Sequence, residues 1–194
     1  MKLMIAIPTL DYIHFRFTCC LIGLVKRLEK LGVDFDVCFK GGTLVYLSRE
    51  ALAAEAINSG YTHVLWLDAD MIFNPDIFDK LNAHGKGIVT GIYQSRHAPF
   101  PSTIYSKLNP AVSVSEYPSE LFEVEGCGFG IVLTSTEALR KVFQQNGFCF
   151  QPTEGYGEDL SFCLYAKKAG YSIYCDPSVV AGHIGHTVIW PEQK

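Results

Sequence analysis

Two carboxylates one residue apart, Asp68 and Asp70, stand directly behind the apolar run Val64-Leu65-Trp66-Leu67. Such a run reads as a strand buried on both faces, ending where the acids begin. Alternate residues of an extended segment point to one side, so both carboxylates can face one ligand. Ligands of open α/β sheets bind beyond the carboxyl ends of the strands. Acids placed there can hold a divalent cation, and the cation a phosphate-rich substrate. Taken by itself, the triplet also fits a surface turn with two ordinary acids.

Three further groups have suitable chemistry. Glu158-Asp159 follows Gly155-Tyr156-Gly157 and opens a helical pattern. A helix N-terminus favours ionised carboxylates, which suits a proton acceptor and equally suits plain capping. His183 comes after Val179-Val180-Ala181-Gly182, and His186 follows closely. An imidazole beside carboxylates suits Mn²⁺ better than Ca²⁺, and the chemistry does not separate the two histidines. Arg49 and Arg96 carry guanidinium groups that match phosphate or carboxylate. Arg49 lies near the start of its helix, where a cation opposes the dipole, so helix stability does not explain it.

The elements that must position these groups alternate. Leu3 to Ile7 reads as a strand stopped by Pro8-Thr9. Leu21, Leu24, Val25, Leu28 and Leu31 mark a helix that Gly32 ends. Val33 to Phe39 alternates as a second strand. Ser48 reads as the cap of a helix running to Gly60. After the His63–Leu67 strand, Asn74-Pro75 opens a short helix, with Asn74 as cap. Ile88 to Tyr93 is a strand, and residues 94–120, with four prolines, read as an irregular functional loop. Gly126 to Gly130 leads into the strand Ile131–Leu133, and Thr134 with Glu137 has capping-box spacing for the next helix. Tyr171 to Cys175 is a late strand. Strands alternating with helices predict a single α/β domain with a mostly parallel sheet flanked by helices.

Bulk composition narrows the function. A chain of 194 residues, 48 % hydrophobic and 19 % charged, suits one folded domain with a full core and excludes a disordered one. A formal net charge of −4 without a long Lys/Arg run argues against a nucleic-acid partner. Seven cysteines follow no disulfide rhythm, and Cys38, Cys163 and Cys175 lie in apolar stretches, which favours a reducing, cytoplasmic setting. No apolar run approaches membrane-spanning length, and the N-terminus reads as a strand rather than a signal peptide.

Together these segments resemble the GT-A glycosyltransferases, particularly the family-2-like branch. The resemblance covers nearly the whole chain. It begins at Ile5-Ala6-Ile7-Pro8-Thr9, similar to that fold's first strand and nucleotide-base loop, and continues through Ser48-Arg49-Glu50-Ala51-Leu52-Ala53. Leu67-Asp68-Ala69-Asp70-Met71 matches the DxD element, Gly157-Glu158-Asp159-Leu160-Ser161-Phe162 the later acid pair, and Gly182-His183-Ile184-Gly185 the Gly-His segment.

The resemblance implies a GT-A (Rossmann-like) fold, with about 1–93 as the nucleotide-sugar half and about 94–194 as the acceptor and catalytic half. It implies a metal-dependent transfer of sugar from a UDP- or GDP-sugar to a glycan, lipid or protein hydroxyl. Asp70 and His183 would bind the metal, Mn²⁺ first and Mg²⁺ second, with Asp68 sharing the ion or meeting the donor ribose. Pro8, Thr9, Asp11, Arg49, Arg96 and Gly128 would contact the donor, the glycines letting backbone pass close to it. Asp159, or else Glu158, would deprotonate the acceptor, giving inversion. Two other readings stand beside this one: a sugar-1-phosphate nucleotidyltransferase, disfavoured by Pro8-Thr9-Leu10-Asp11 where a glycine-rich basic signature is expected, and a non-catalytic nucleotide-sugar-binding module. An oligomer is compatible with all three.

Overall fold

The computed structural model describes residues 1–10, 12–153, 155–185 and 188–191. In chain order the elements are β1 (Lys2–Pro8), α1 (Phe15–Leu31), β2 (Asp34–Lys40), α2 (Val45–Asn58), β3 (His63–Leu67), β4 (Met71–Ile72), α3 (Ile77–Ala83) and β5 (Ile88–Ile92). Then come β6 (Ile104–Leu108), β7 (Ala111–Ser113), β8 (Phe122–Val124), β9 (Gly126–Cys127), β10 (Ile131–Ser135), α4 (Thr136–Asn146), α5 (Glu158–Lys168), β11 (Ile173–Val180), β12 (Gly182–Ile184) and β13 (Val188–Ile189). No helix among the described residues is long and apolar enough to cross a membrane. All seven cysteines are free thiols.

The central sheet has seven strands in the order β2-β1-β3-β10-β5-β11-β8. Its inner strands β1 and β3 are apolar at successive positions because both faces are covered. Leu3, Ile5, Ile7, Leu65 and Leu67 pack on one face with Leu24 and Leu28 of α1 and Phe78 and Leu81 of α3. Met4, Ala6, Val64 and Trp66 pack on the other with residues of α2, α4 and α5. There Trp66 donates from Nε1 to Thr134 Oγ1 at 3.0 Å and meets the Phe129, Phe150 and Phe162 cluster.

The sheet is mixed, not mostly parallel. β1 pairs in parallel with β2 and β3, and β5 with β11, whereas β10 and β8 run antiparallel to their neighbours. The reversal of β10 has a consequence for the site. With Ile131 opposite Leu67, the glycine-rich segment before β10 lies beside the carboxyl end of β3. The Asp68 N–H donates to Gly130 O at 3.1 Å.

Four local expectations need correction. Ser48 lies inside α2, buried; the helix starts after Leu44 without a side-chain cap. Asn74-Pro75 forms a turn before α3, whose N-cap is Asp76. The cap of α4 is Ser135, accepting from Ala138 N, while Thr134 is spent on Trp66. Residues 94–120 are not wholly irregular, since β6 pairs with β7 and β9 in a small antiparallel sheet. The prolines that frame these short strands hide their pairing signal.

Candidate active site

One cleft of about 640 Å³ opens at the carboxyl ends of β1 and β3. It gathers Pro8, Thr9, Arg49, Asp68, Asp70, Arg96, Gly128, Glu158, Asp159 and His183 from segments far apart in the chain. Asp11 and His186 lie outside the described residues.

A small sheet brings Asp70 to His183. β4 follows the turn after β3 and pairs antiparallel with β12, Met71 opposite His183. His183 Nε2 then stands 3.3 Å from Asp70 Oδ2, and its Nδ1 lies 3.0 Å from the Gln94 carbonyl. That carbonyl can only accept, so the hydrogen bond assigns the proton of a neutral ring to Nδ1 and leaves Nε2 bare. A bare nitrogen facing a carboxylate oxygen needs a proton or a cation between them. Burial alone would lower the His183 pKa, but Asp70 outweighs it and raises it. Burial alone would raise Asp70; His183 and Arg96 outweigh it and hold it below its ordinary value. Arg96, on an exposed loop, also donates to Asp70 Oδ2.

Arg49 organises the opposite wall. It is 3 % exposed, donates to Asp68 Oδ1 at 2.7 Å and to Glu158 Oε1, and lies over the Phe129 ring at 5.5 Å. Burial alone would lower its pKa, and Asp68, Glu158 and Asp159 more than offset this, keeping it protonated. Its neighbour Glu50 accepts from the backbone N–H groups of Cys149 and Phe150 at 2.9 and 2.6 Å, tying α2 to the aromatic cluster. Arg49 therefore ties the end of β3 to the start of α5, and its donors are turned to protein more than to a ligand.

Asp159 is free of that tie. It accepts from the Leu160 N–H at 2.7 Å. Burial raises its pKa, Arg49 offsets part of the rise, and Glu158 adds to it. Asp68 is likewise raised by burial, with Arg49 offsetting and Asp70 adding. The two acids of the Asp68-Ala69-Asp70 triplet are thus driven in opposite directions.

Tyr93 went unnoticed in the sequence. It is buried at the cleft, and its Oη accepts from the Gly130 N–H at 2.9 Å. A Cβ on Gly128 would lie 2.2 Å from Tyr93 Oη, and one on Gly130 2.8 Å from Tyr93 Cζ. Gly128 and Gly130 are required by this phenol before any ligand is considered, whereas a Cβ on Gly126 would meet the Leu108 and Leu160 methyl groups at 3.1 Å. Only the final residue of an apolar strand marked Tyr93, and nothing local distinguishes it from core.

Among the described residues no group of three His, Cys, Asp or Glu side chains forms a metal cage. The Asp70–His183 pair nevertheless fits a cation that takes the rest of its shell elsewhere. Carboxylate oxygen with imidazole nitrogen suits a first-row ion, and phosphate-linked sites use few protein ligands.

No protein-family model matches the chain, and no curated protein matches it. Solved structures do. A197 from STIV has a TM-score of 0.66 at 20 % identity, over 100 % of this chain and 96 % of that one. GalNAc-T7, solved with UDP, GalNAc and Mn²⁺, gives 0.63 at 10 % identity, over 95 % of this chain and 44 % of that one. A UDP-glucose pyrophosphorylase solved with UDP-glucose gives 0.54 at 8 % identity, over 91 % and 89 %. At such identities the likeness establishes a GT-A-like α/β fold, and the chain spans less than half the length of GalNAc-T7.

Proposed function

We propose that this chain is a metal-dependent glycosyltransferase, moving a sugar from a nucleotide-diphosphate sugar to a hydroxyl acceptor. The observation that carries the reading is the convergence of the Asp70–His183 pair and Asp159 on one cleft in a GT-A-like fold. The cleft wall holds four carboxylates (Asp68, Asp70, Glu158, Asp159) against two guanidinium groups (Arg49, Arg96). A diphosphate would meet excess negative charge there unless a cation came with it.

Asp70 and His183 would hold that cation, Mn²⁺ with Mg²⁺ as the alternative, which when bound offsets the charge of the leaving diphosphate. Arg96 would move from Asp70 toward the phosphates. Pro8 and Thr9 at the end of β1 line the cleft and would meet the nucleoside, with the 1–93 half holding the donor and the 94–194 half the acceptor. Asp159 would take the acceptor proton as the acceptor oxygen bonds to the anomeric carbon and the bond to diphosphate breaks, inverting the centre. Its raised pKa makes it a stronger base than an exposed carboxylate, and Glu158, held by Arg49, is the poorer candidate.

The test is release of nucleoside diphosphate from a panel of UDP- and GDP-sugars with Mn²⁺. Release should vanish with chelator, and Asp70→Asn and Asp159→Asn should each lower it at least about a hundredfold. Asp159→Asn should also raise Tm, because ionising this half-buried group costs the fold stability. Its folded pKa lies above the unfolded one, so this cost is absent below the unfolded pKa and is incurred as pH rises through the folded value. Turnover indifferent to chelator and to Asp70→Asn would refute the assignment. Inorganic pyrophosphate from sugar phosphate and nucleotide would instead establish nucleotidyl transfer, the second reading, whose fold the pyrophosphorylase shares.

A further inference from the structure

The end of β5 presents its side chains alternately to two cavities, as an extended chain must. Tyr93 and Ser95 line the carboxylate cleft. Ile92 and Gln94 line a second cavity of about 610 Å³ behind it, within the range of small-molecule sites. A bridge between Gln94 and Ser102 joins the strand to the wall of that cavity. The Val114–Ser119 loop and Pro177-Ser178 of β11 supply the remaining walls.

The lining chemistry differs sharply from that of the first cleft. The hydroxyl-bearing residues Ser102, Ser115, Ser119, Ser178 and Tyr117 and the amide-bearing Gln94 line it together with Ile92, Val114, Pro118 and Pro177. No Lys, Arg or His lines it among the described residues, and its single ionisable acid is Glu116. Phosphate or carboxylate ligands would find no Lys, Arg or His among the described lining residues. Each hydroxyl can both donate and accept, as can a ligand hydroxyl. The Tyr117 ring is packed against the core and forms part of the cavity wall. A peptide is less suited, because β5 already pairs with β10 and β11 and offers no free edge.

We propose that this second cavity binds a neutral saccharide. The Gln94 residue that would grip it holds His183 Nδ1 through its carbonyl at 3.0 Å, which links the saccharide to the Asp70–His183 pair. That link to turnover rests on the transferase reading; the binding itself does not.

Saturation-transfer NMR on the full chain, with a panel of neutral glucose-, galactose- and mannose-based tri- and tetrasaccharides, tests it. At least one should bind the wild-type chain, without displacement by UDP plus Mn²⁺. Ser119→Trp, which fills the exposed rim, and Gln94→Ala should each weaken binding by about tenfold or more. Absence of binding across the panel would overturn the proposal. So would displacement by UDP plus Mn²⁺, retention of full affinity in Ser119→Trp, or preference for a proline-rich peptide. Inactive donor assays with intact saccharide binding would sink the transferase reading alone.

Discussion

Replacing Arg49 with methionine tests the central electrostatic claim. Methionine keeps the aliphatic bulk over Phe129 and removes the charge. Losing one partner of a fully buried ion pair costs about 3–5 kcal/mol, because the other charge is left unpaired. Here the stranded partners are not equally buried: the Asp68 side chain is 28 % exposed and the Glu158 side chain 16 %. Water reaches Asp68 and relieves part of the loss, whereas Glu158 and the adjacent Asp159 gain an unopposed repulsion. We expect destabilisation of about 3 kcal/mol, near the lower end of that range. For a chain of this size each kcal/mol moves Tm by roughly 2–4 °C, so the variant should melt about 6–12 °C lower. Calorimetry and urea unfolding at pH 7.5 measure it. Adding Glu158→Gln removes one stranded charge and should restore part of the loss, a coupling that a double-mutant cycle reads directly. A variant melting within about 2 °C of wild type, or a double variant worse than the sum of its singles, would refute the view that Arg49 neutralises these carboxylates.

Two other perturbations probe the scaffold. Gly128→Ala should destabilise by about 1–3 kcal/mol through overpacking against Tyr93 Oη, and Tyr93→Phe in the same chain should recover part of it by removing that oxygen; equilibrium unfolding of the four variants of the cycle decides, and strict additivity would contradict the contact. His84 Nε2 stands 2.8 Å from Asp176 Oδ2. Burial would raise Asp176, but hydrogen bonds from His84 and Ser178 outweigh it and hold its pKa low. Its stabilising contribution is therefore complete above the ordinary carboxylate pKa and is lost as pH falls through the folded value. His84→Ala should cost about 1.5 kcal/mol at pH 7 and progressively less toward about pH 3, read from Tm at both; an unchanged gap would count against the pair.

Legibility in the sequence followed the range of the forces involved. β1 and β3 were readable because burial on both faces writes an uninterrupted apolar run. The end of α1 was readable because Gly32 takes the left-handed conformation that stops a helix, with φ 67°. The start of α4 was misplaced by one residue: Thr134 and Ser135 both carry capping hydroxyls, and the choice was made by Trp66, 68 residues away. The direction of β10 could not be read at all, because Ile131-Val132-Leu133 is equally apolar in either sense. Tyr93 escaped for a related reason. Its partners are backbone groups of distant glycines, which no local pattern encodes.

The Asp68-Ala69-Asp70 triplet sharpens the point. In sequence its acids are equivalent, and their spacing puts both on one side of the chain. The fold separates them by surroundings. Asp68 meets the fixed guanidinium of buried Arg49 and is held in the frame that joins β3 to α5. Asp70 meets His183 and the exposed Arg96, partners that a proton or a ligand can rearrange. An acid whose charge is already matched by a rigid neighbour has little left for a cation. An acid kept ionised opposite a bare imidazole nitrogen has a place for one. In the proposed chemistry this assigns Asp70 to the metal and Asp68 to the support of Arg49. Asp70→Asn should therefore remove most of the stabilisation that the cation confers, and Asp68→Asn should retain most of it. Melting curves with and without Mn²⁺ plus UDP separate the two, and equal loss of the ligand-induced Tm rise in both variants would contradict the division.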